Sequence, residues 1–489
     1  MSGEREPPRR GTKAFLAASG VAQICALARY TVLARILGPE QLGLAAILIL
    51  TAQFFDSVTD SGSDRFLVQD RDGNDRALLG LTHLVSIGRG IAIALGLIIL
   101  SGPIASLSGA PQLAPDIVVL AIAPLLMGLV HWDYRRQQRE SDFRGEGRIV
   151  LAAEVVSLIV TTGAALAVRD FTAILYGLIA RSLVTVLMSH LVARQRYAAR
   201  YASEYASRLT RFAWPLMING LLIFIGGQGD RIFISNQLGV AALGHYSAVI
   251  LLIYYPSAML MRFMTTMFLP RISDRRDVAA WKRAYAALGG QTMLAGLAMQ
   301  FGFVLVAPLA VPLLYGEQFA VAWLDIALIA TLQSARFVRM WPVTAAIGLG
   351  RSHIVMIGNA VRMIAFPAAF AGLMLIDGIE GIVAGFVLAE LLAFVLGLAM
   401  ANRALEHPFF LGGTRLFYYV AGSALLIAFV LFQQTGTWSA AAMCGALLVI
   451  WAFGVMRAEW NMVQDILALV DRATGHRLVP AWLLHSARE

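Results

Sequence analysis

Ten arginines fall within or at the edges of long apolar segments, and their placement is the most informative chemistry in this chain. A charge at the centre of a bilayer costs about 2.5–3.5 kcal/mol even on the lenient insertion scale, so deep arginines are expected to face a polar interior. Guanidinium groups keep their charge and bind phosphate oxygens in bidentate fashion. The sequence therefore predicts a wet, cationic cavity suited to a doubly charged anion of headgroup size. The predicted ligands are Arg29, Arg89, Arg262, Arg336, Arg339 and Arg362.

Arginines in apolar segments can also be accommodated by snorkelling or by pairing. Arg35, Arg65 and Arg181 are interpreted as lying near segment ends, where their side chains would snorkel to the interface. Pairing with an acid that merely holds helices together is the alternative for every member of the set. The acids in these segments are fewer than the arginines, so the balance is positive by about three. They are Asp56, Asp60, Asp64, Glu154, Asp230, Asp325 and Glu390.

Three of these acids, Asp56, Asp60 and Asp64, are spaced by four and would form one acidic stripe on a helix. Carboxylates held together in a low dielectric could bind and release H⁺ or Na⁺ during transport. Glu154 is a further candidate for such coupling. The alternative for all four is pairing with arginines on adjacent turns or neighbouring helices.

No catalytic residues, cofactor or metal site are predicted. Cys25 and Cys444 lie in separate apolar segments and can build neither a metal site nor a disulfide framework. The glycine-rich run 226–229 is followed by Asp230 and lacks the lysine of a phosphate-binding loop. The acids of one connection lie among five arginines and indicate a solvated loop; they are Glu140, Asp142 and Glu146.

The elements that must position the charged residues are membrane helices. The chain of 489 residues is 58% hydrophobic and 14% charged, with a mean hydropathy of +0.71, whereas soluble domains carry about 25% charged residues. The predicted fold is an all-α polytopic membrane protein with about fourteen transmembrane helices. The segments are 14–37, 41–67, 78–100, 115–131, 149–168, 171–193, 212–236, 243–270, 284–310, 322–349, 353–376, 380–402, 415–433 and 439–456.

The positive charges indicate the orientation. Lysine and arginine crowd the N-terminus and every second connection, and they are absent from the alternate connections near 101–114, 311–321, 377–380 and 434–438. The positive-inside rule then predicts that both termini lie in the cytoplasm. The net charge of +9 is thereby explained as topology, so nucleic-acid binding is not predicted.

A seven-residue pattern occurs twice, as Leu37–Gly43 (LGPEQLG) and Leu238–Gly244 (LGVAALG). Each copy joins two apolar segments, and six segments separate the copies, so both halves would have the same orientation. Two six-helix lobes are predicted, 13–193 and 212–403, joined by a basic linker at 194–211. A cytoplasmic tail at 1–12, a helix pair at 404–456 and an amphipathic cytoplasmic tail at 457–489 complete the organisation. A disordered or partner-binding tail is the alternative for 457–489.

Several short motifs occur in the order typical of one family. Ala34–Gly43 (ARILGPEQLG) resembles the first-hairpin signature of Wzx-type polysaccharide (O-antigen) flippases, and Asp60–Gly62 is similar to the Asp-x-Gly that follows it. Matching motifs further along are Leu314–Phe319, Gly348–Arg351 and Gly378–Ile382. The resemblance covers about 12–403. These flippases are a family of the multidrug/oligosaccharidyl-lipid/polysaccharide exporter superfamily, which the chain therefore also resembles. Ser63-Asp64-Arg65 departs from the family, which is usually more apolar there.

The resemblance implies two lobes that face each other across a cavity and alternate between inward and outward states in the bacterial inner membrane. It implies a polyprenyl-diphosphate-linked glycan as cargo, membrane lipids as surroundings, and a polysaccharide polymerase and chain-length proteins as partners. An H⁺ or Na⁺ gradient or the membrane potential would supply free energy. The alternatives are a lipid II-type flippase, an ion-coupled multidrug exporter of the same superfamily, and a non-transporting scaffold of a polysaccharide assembly complex.

Overall fold

A computed structural model describes residues 12–274, 278–404, 413–460 and 464. The predicted N-terminal tail and nearly all of the predicted amphipathic tail lie outside these residues. The described part is built from eighteen α-helices. They are α1 Thr12–Val58, α2 Ser63–Gln69, α3 Arg76–Leu107, α4 Ala114–Leu120, α5 Ile122–Met127, α6 Asp133–Arg139, α7 Arg144–Val168, α8 Ala173–Val192, α9 Ser203–Leu238, α10 Val240–Ser273, α11 Val278–Tyr315, α12 Trp323–Val338, α13 Met340–Gly348, α14 Ser352–Val361, α15 Ala365–Leu375, α16 Ile379–Ala404, α17 Gly413–Gln434 and α18 Trp438–Ala458.

The predicted all-α polytopic class is confirmed. Within the described residues, eleven helical stretches are long and apolar enough to cross a membrane. The first of them covers most of two predicted segments, 14–37 and 41–67. Between these segments α1 is interrupted at Gly38, whose φ of 81° and ψ of 175° are not helical. The predicted segment at 322–349 is divided between α12 and α13, and the one at 115–131 is divided between α4 and α5. The count of fourteen crossings stays a prediction.

The predicted second segment, 41–67, is not one helix. Helix α1 ends at Val58, and α2 begins only at Ser63. Between them, Gly62 adopts a left-handed conformation with φ of 60°, and its N–H donates to Asp60 Oδ1 at 3.0 Å. An aspartate that accepts from the backbone two residues later stabilises a turn in competition with the helix. The helix therefore breaks within the predicted acidic stripe.

The described residues form two compact units. Unit 1 contains the described residues up to Leu252 together with Val311–Ala320, and unit 2 contains Ile253–Ala310 with the described residues from Val321 onward. Unit 1 extends past the predicted linker at 194–211 because α9 packs against α1 within it, with the rings of Phe54 and Phe224 5.3 Å apart. The predicted division into lobes at 194–211 stays a prediction.

Within unit 1, the start of the basic linker is held against the helices that precede it. The Arg200 N–H donates to the Gly80 carbonyl at 3.1 Å, and His83 Nδ1 lies 2.8 Å from the Ala198 carbonyl. The Tyr197 ring stacks on His83 at a centroid distance of 4.3 Å. These contacts fix the path of the chain into α9.

Helix α16 is the most deeply buried long helix of unit 2 among the described residues. Small residues let it approach α15 closely. A Cβ added to Gly385 would lie 2.3 Å from the Ala369 nitrogen, and one added to Gly372 would lie 2.1 Å from the Gly381 carbonyl oxygen. Small residues at a helix interface permit such backbone contact. The close approach places the middle of α16, with Glu390, next to the end of α14.

Candidate functional site

Glu390 is the centre of a charged cluster buried in unit 2. Three guanidinium groups surround its carboxylate. Arg336 Nε lies 3.4 Å from Oε1, Arg339 Nε lies 3.1 Å from Oε2, and Arg362 Nη2 lies 2.5 Å from Oε1. Three of the predicted ligands thus lie deep in the fold, and the structure brings them together. Their role as ligands stays a prediction.

The end of α12, the short 3₁₀ segment after α14 and the middle of α16 position this cluster. Arg336 is in the last turn of α12, and Arg339 lies three residues on, at the junction with α13. Arg362 begins a short 3₁₀ segment, Arg362–Ile364, between α14 and α15. Arg339 Nη1 also donates to Asn359 Oδ1 at 3.3 Å. Because residues three apart share a helical face, the spacing of Arg336 and Arg339 already predicted that they point the same way.

The four charged side chains of the cluster are buried. Three guanidinium groups and one carboxylate sum to +2, and their side chains are only 11%, 15%, 5% and 3% exposed for Arg336, Arg339, Arg362 and Glu390 respectively. Removing charges from water is expensive, and their attraction offsets that cost only where the geometry is good. The Glu390 carboxylate therefore holds three like charges together. From the sequence, Glu390 is only one of several intramembrane acids, and its central position depends on how the helices pack.

A second, smaller cluster lies in unit 1 around Glu154 of α7. Arg29 Nη1 lies 3.1 Å from Glu154 Oε2, and Arg181 Nε lies 2.7 Å from Glu154 Oε1. Arg29 Nη1 also donates to Ser157 Oγ at 2.7 Å. One carboxylate and two guanidinium groups sum to +1. The Arg29 side chain is only 13% exposed, and the Glu154 carboxylate is paired with both arginines.

The prediction that snorkelling explains Arg181 is wrong. Arg181 lies near the middle of α8, not at its end, and it bonds Glu154 on the neighbouring helix. Its side chain is nevertheless 51% exposed. A charged side chain at the centre of an apolar helix requires a polar partner, and Glu154 supplies it here. The signal in the sequence for this placement is the depth of Arg181 within the predicted segment 171–193.

Arg89 and Arg262 are placed differently from the other predicted ligands. Arg89 of α3 bonds the end of α1. Its Nη2 lies 3.0 Å from Asp56 Oδ1 and 2.9 Å from the Asp56 carbonyl oxygen, and its Nε donates to Thr59 Oγ1 at 2.9 Å. Arg262 is exposed on α10, and no ion pair joins it to Glu390 in the described part of the chain.

The predicted single stripe of Asp56, Asp60 and Asp64 is wrong, because the helix ends at Val58. Asp56 lies on α1, Asp60 in the break and Asp64 on α2. Each is paired with its own arginine. Asp56 pairs with Arg89 at 3.0 Å, Asp64 with Arg135 at 3.2 Å, and Asp60 with Arg65. Pairing is the arrangement that the structure shows, and ion coupling by these residues stays a prediction.

A family model for polysaccharide biosynthesis proteins matches residues 32–324, which is more than half of the chain. The chain belongs to the polysaccharide biosynthesis protein family. The family resemblance carried by the motifs from Ala34 onward is thereby confirmed. The matched residues include α1 from residue 32 onward, with the Gly38 interruption, and both predicted copies of the repeat.

Two curated relatives share part of this sequence. The succinoglycan biosynthesis transport protein ExoT of Rhizobium meliloti is 25% identical over 350 residues, which cover 70% of this chain and 69% of ExoT. The lipopolysaccharide biosynthesis protein WzxC of Escherichia coli is 24% identical over 298 residues, which cover 60% of each chain.

Solved transporter structures share the fold. The lipid II flippase MurJ, in an inward closed conformation, matches with a TM-score of 0.67 at 12% identity over 91% of this chain and 99% of that structure. An inward-facing multidrug resistance MATE family transporter of the MOP superfamily matches with a TM-score of 0.62 at 17% identity, over 79% of this chain and 96% of that one.

Proposed function

We propose that this protein is a flippase that moves a polyprenyl-diphosphate-linked oligosaccharide from the inner to the outer leaflet of the bacterial inner membrane. The observation that carries the proposal is the convergence of three buried guanidinium groups, those of Arg336, Arg339 and Arg362, on the single carboxylate of Glu390. A diphosphate is an anion of matching charge and size. Its oxygens can accept the bidentate hydrogen bonds that guanidinium groups donate.

The two clusters suggest different roles for their arginines. The unit 2 arginines are buried and held by Glu390, so a diphosphate must displace or join that carboxylate to reach them. Arg181 of unit 1 is half exposed and bonds Glu154 through Nε, so its outer edge is accessible to a bound anion. We assign Arg181 to the substrate ligands of unit 1, together with Arg29 and Arg89, and keep Arg336, Arg339 and Arg362 as the ligands of unit 2.

The relatives support this class of cargo. ExoT is named as a succinoglycan biosynthesis transport protein and WzxC as a lipopolysaccharide biosynthesis protein. MurJ, which shares the fold, is named as a lipid II flippase. A polysaccharide repeat unit carried on a polyprenyl diphosphate fits the family, and a polysaccharide polymerase and chain-length proteins are its proposed partners. An H⁺ or Na⁺ gradient is proposed as the energy source, with Asp56, Asp60, Asp64 and Glu154 as coupling candidates.

Lipid II is the second candidate cargo, favoured by the fold shared with MurJ over 91% of this chain. Its diphosphate would use the same arginines, so the two cargoes differ in the sugar rather than in the charged site. A cationic drug is disfavoured as cargo, because it would be repelled by the three guanidinium groups around Glu390. A non-transporting scaffold would tolerate neutral residues at these positions.

The experiment is complementation of a strain that lacks the gene. We expect Arg336→Gln/Arg339→Gln to abolish surface polysaccharide while the protein still accumulates in the membrane. Arg144→Gln is the matched control, since Arg144 at the start of α7 is 52% exposed and pairs with Asp142, and it should complement fully. Normal export by the double variant contradicts the proposal. Identifying the lipid-linked glycan that accumulates in the deletion strain distinguishes a repeat unit from lipid II.

A further inference from the structure

The two copies of the repeated pattern contact each other reciprocally within unit 1. A Cβ added to Gly43 would lie 2.0 Å from the Val240 carbonyl oxygen, and one added to Gly244 would lie 1.9 Å from the Pro39 carbonyl oxygen. Gly43 and Gly244 are equivalent positions of the two copies, and so are Pro39 and Val240. A contact in which each copy presents the same two positions to the other is the mark of a local two-fold relation.

The backbone of the two copies is also the same at the point where each helix is interrupted. Gly38 has φ of 81° and ψ of 175°, and Gly239 has φ of 88° and ψ of 174°. Both are left-handed conformations that glycine adopts without steric cost. The leucine before the last glycine of each copy, Leu42 or Leu243, is fully buried. The repeat therefore builds two equivalent hairpins that close on each other.

Further contacts close the same end of unit 1. Ser235 Oγ donates to the Ser108 carbonyl at 2.7 Å, and Asn236 Nδ2 donates to the Leu107 carbonyl at 2.8 Å. Both join the end of α9 to the end of α3. The side chain of Gln318, from the connection after α11, lies against Gly38. The end of unit 1 that carries the hairpins is thus sealed by backbone contact and hydrogen bonds.

We propose that the paired hairpins are the outer gate of the transporter, and that Gly43 and Gly244 set its closed state. This rests on the proposed function and its orientation, which puts the connections at Gly38 and Gly239 outside. Opening separates the two copies, so that the Val240 and Pro39 carbonyls leave the glycines. A methyl group at either glycine occupies the space of a carbonyl oxygen and prevents closure. Only glycine allows the backbones to touch in this way.

Ser247 offers a reporter of gate opening. It lies three residues beyond Gly244 on α10 and is 1% exposed, and its hydroxyl has no hydrogen-bond partner in the described structure. Ser247→Cys is therefore nearly isosteric and breaks no bond. The chain has two native cysteines, Cys25 and Cys444, which are both buried and are replaced by serine for the experiment. The readout is the rate at which a membrane-impermeant maleimide labels Cys at position 247 in right-side-out vesicles.

We expect slow labelling of the reporter protein that carries no gate substitution. Adding Gly43→Ala or Gly244→Ala should speed labelling by roughly tenfold or more, since each shifts the population to the open state. The control is Gly102→Ala on α3, where an added Cβ would meet nothing within 4 Å, and labelling should not change. If a gate variant fails to accumulate, Asn236→Ala replaces it, because that change removes the hydrogen bond to the Leu107 carbonyl at the same end. We expect it to speed labelling several-fold.

Unchanged labelling in a folded gate variant, or in Asn236→Ala where that replaces it, overturns the proposed gate, as does an equal increase in Gly102→Ala. The readout is independent of cargo, so a failed gate is distinguishable from a failed flippase. If export depends on the Glu390 cluster but the gate variants do not change the labelling rate at position 247, the gate is wrong and the proposed function is still supported. Faster labelling in a protein that exports nothing supports the gate alone.

Discussion

Arg362 and Glu390 form the closest ion pair of unit 2 among the described residues, with Arg362 Nη2 2.5 Å and Arg362 Nε 2.8 Å from the same carboxylate oxygen, Oε1. Unit 1 contains a related pair in which the glutamate precedes the arginine along the chain, the reverse of the order in unit 2. There the carboxylate of Glu154 is on α7 and the guanidinium of Arg181 is on the following helix, α8, at 2.7 Å. In each unit the pair joins successive membrane segments, and additional arginines make the total charge positive.

Glu390→Gln is expected to destabilise the protein strongly. It leaves three buried guanidinium groups without their common carboxylate, and breaking a buried pair in this way costs about 3–5 kcal/mol. The measurement is the thermal unfolding midpoint of the purified protein in detergent. The control is Glu317→Gln, an exposed residue on the connection after α11. A midpoint for Glu390→Gln equal to that of the control would show that Glu390 does not hold the cluster together.

Arg181→Gln is expected to separate transport from stability. Because Arg181 is half exposed, its ion pair with Glu154 contributes at most about 1 kcal/mol. The variant should therefore accumulate normally but export less polysaccharide, since a proposed diphosphate ligand is lost. Arg29→Gln is the comparison, because Arg29 is only 13% exposed and bonds both Glu154 and Ser157. Arg29→Gln should lower both accumulation and export. Full export by Arg181→Gln would remove Arg181 from the binding set.

Gly385→Ala is expected to displace α16 and the carboxylate it carries. The added methyl group would lie 2.3 Å from the Ala369 nitrogen, and overpacking of this kind costs about 1–3 kcal/mol or more. Unfolding midpoint and export should both fall. The matched control is Gly302→Ala on α11, where an added Cβ would meet nothing within 4 Å. If both variants unfold at the wild-type temperature, the backbones of α15 and α16 are not in close contact.

The polar connection around Asp133 should make stability sensitive to acid. Burial alone raises the pKa of Asp133, but hydrogen bonds from the Arg194 N–H and from the side chains of Arg136 and Gln137 outweigh it, and the resulting pKa is below the usual value. The unfolded chain, with an ordinary aspartate pKa of about 3.9, then binds the proton more readily. The stabilisation is complete above that value and is lost as the pH falls through the lower folded pKa.

Asp133→Asn tests this dependence. It should lower the free energy of unfolding at neutral pH by about 1–3 kcal/mol, because buried donors lose their carboxylate. It should also flatten the decrease of the unfolding midpoint below about pH 4. The measurement is the midpoint from about pH 3 to about pH 8 for both proteins. An equally steep acid transition in the variant would assign the effect to other carboxylates, such as Asp142. Burial raises the pKa of Asp142, but hydrogen bonds from Arg194 and Arg144 outweigh burial and lower it.

The helices and the deep arginines were predictable because both depend on local composition. A stretch of about 20 apolar residues identifies a span, and the depth of Arg336, Arg339 and Arg362 follows directly from it. The break at Gly62 was missed, since it depends on a side-chain-to-backbone bond inside a segment that is apolar on average. The central role of Glu390 was also missed, because it depends on which helices pack together. No periodicity in a single sequence specifies that.

Translocation in proteoliposomes tests the central claim most directly. The purified protein is reconstituted with a short-chain polyprenyl-diphosphate oligosaccharide, and the cargo that reaches the opposite leaflet is measured with an enzyme confined to one side. We predict translocation by the wild-type protein and by Arg144→Gln, and none above protein-free vesicles by Arg336→Gln/Arg339→Gln. Translocation by the folded double variant at the wild-type rate would contradict the assignment of the diphosphate to the arginines around Glu390.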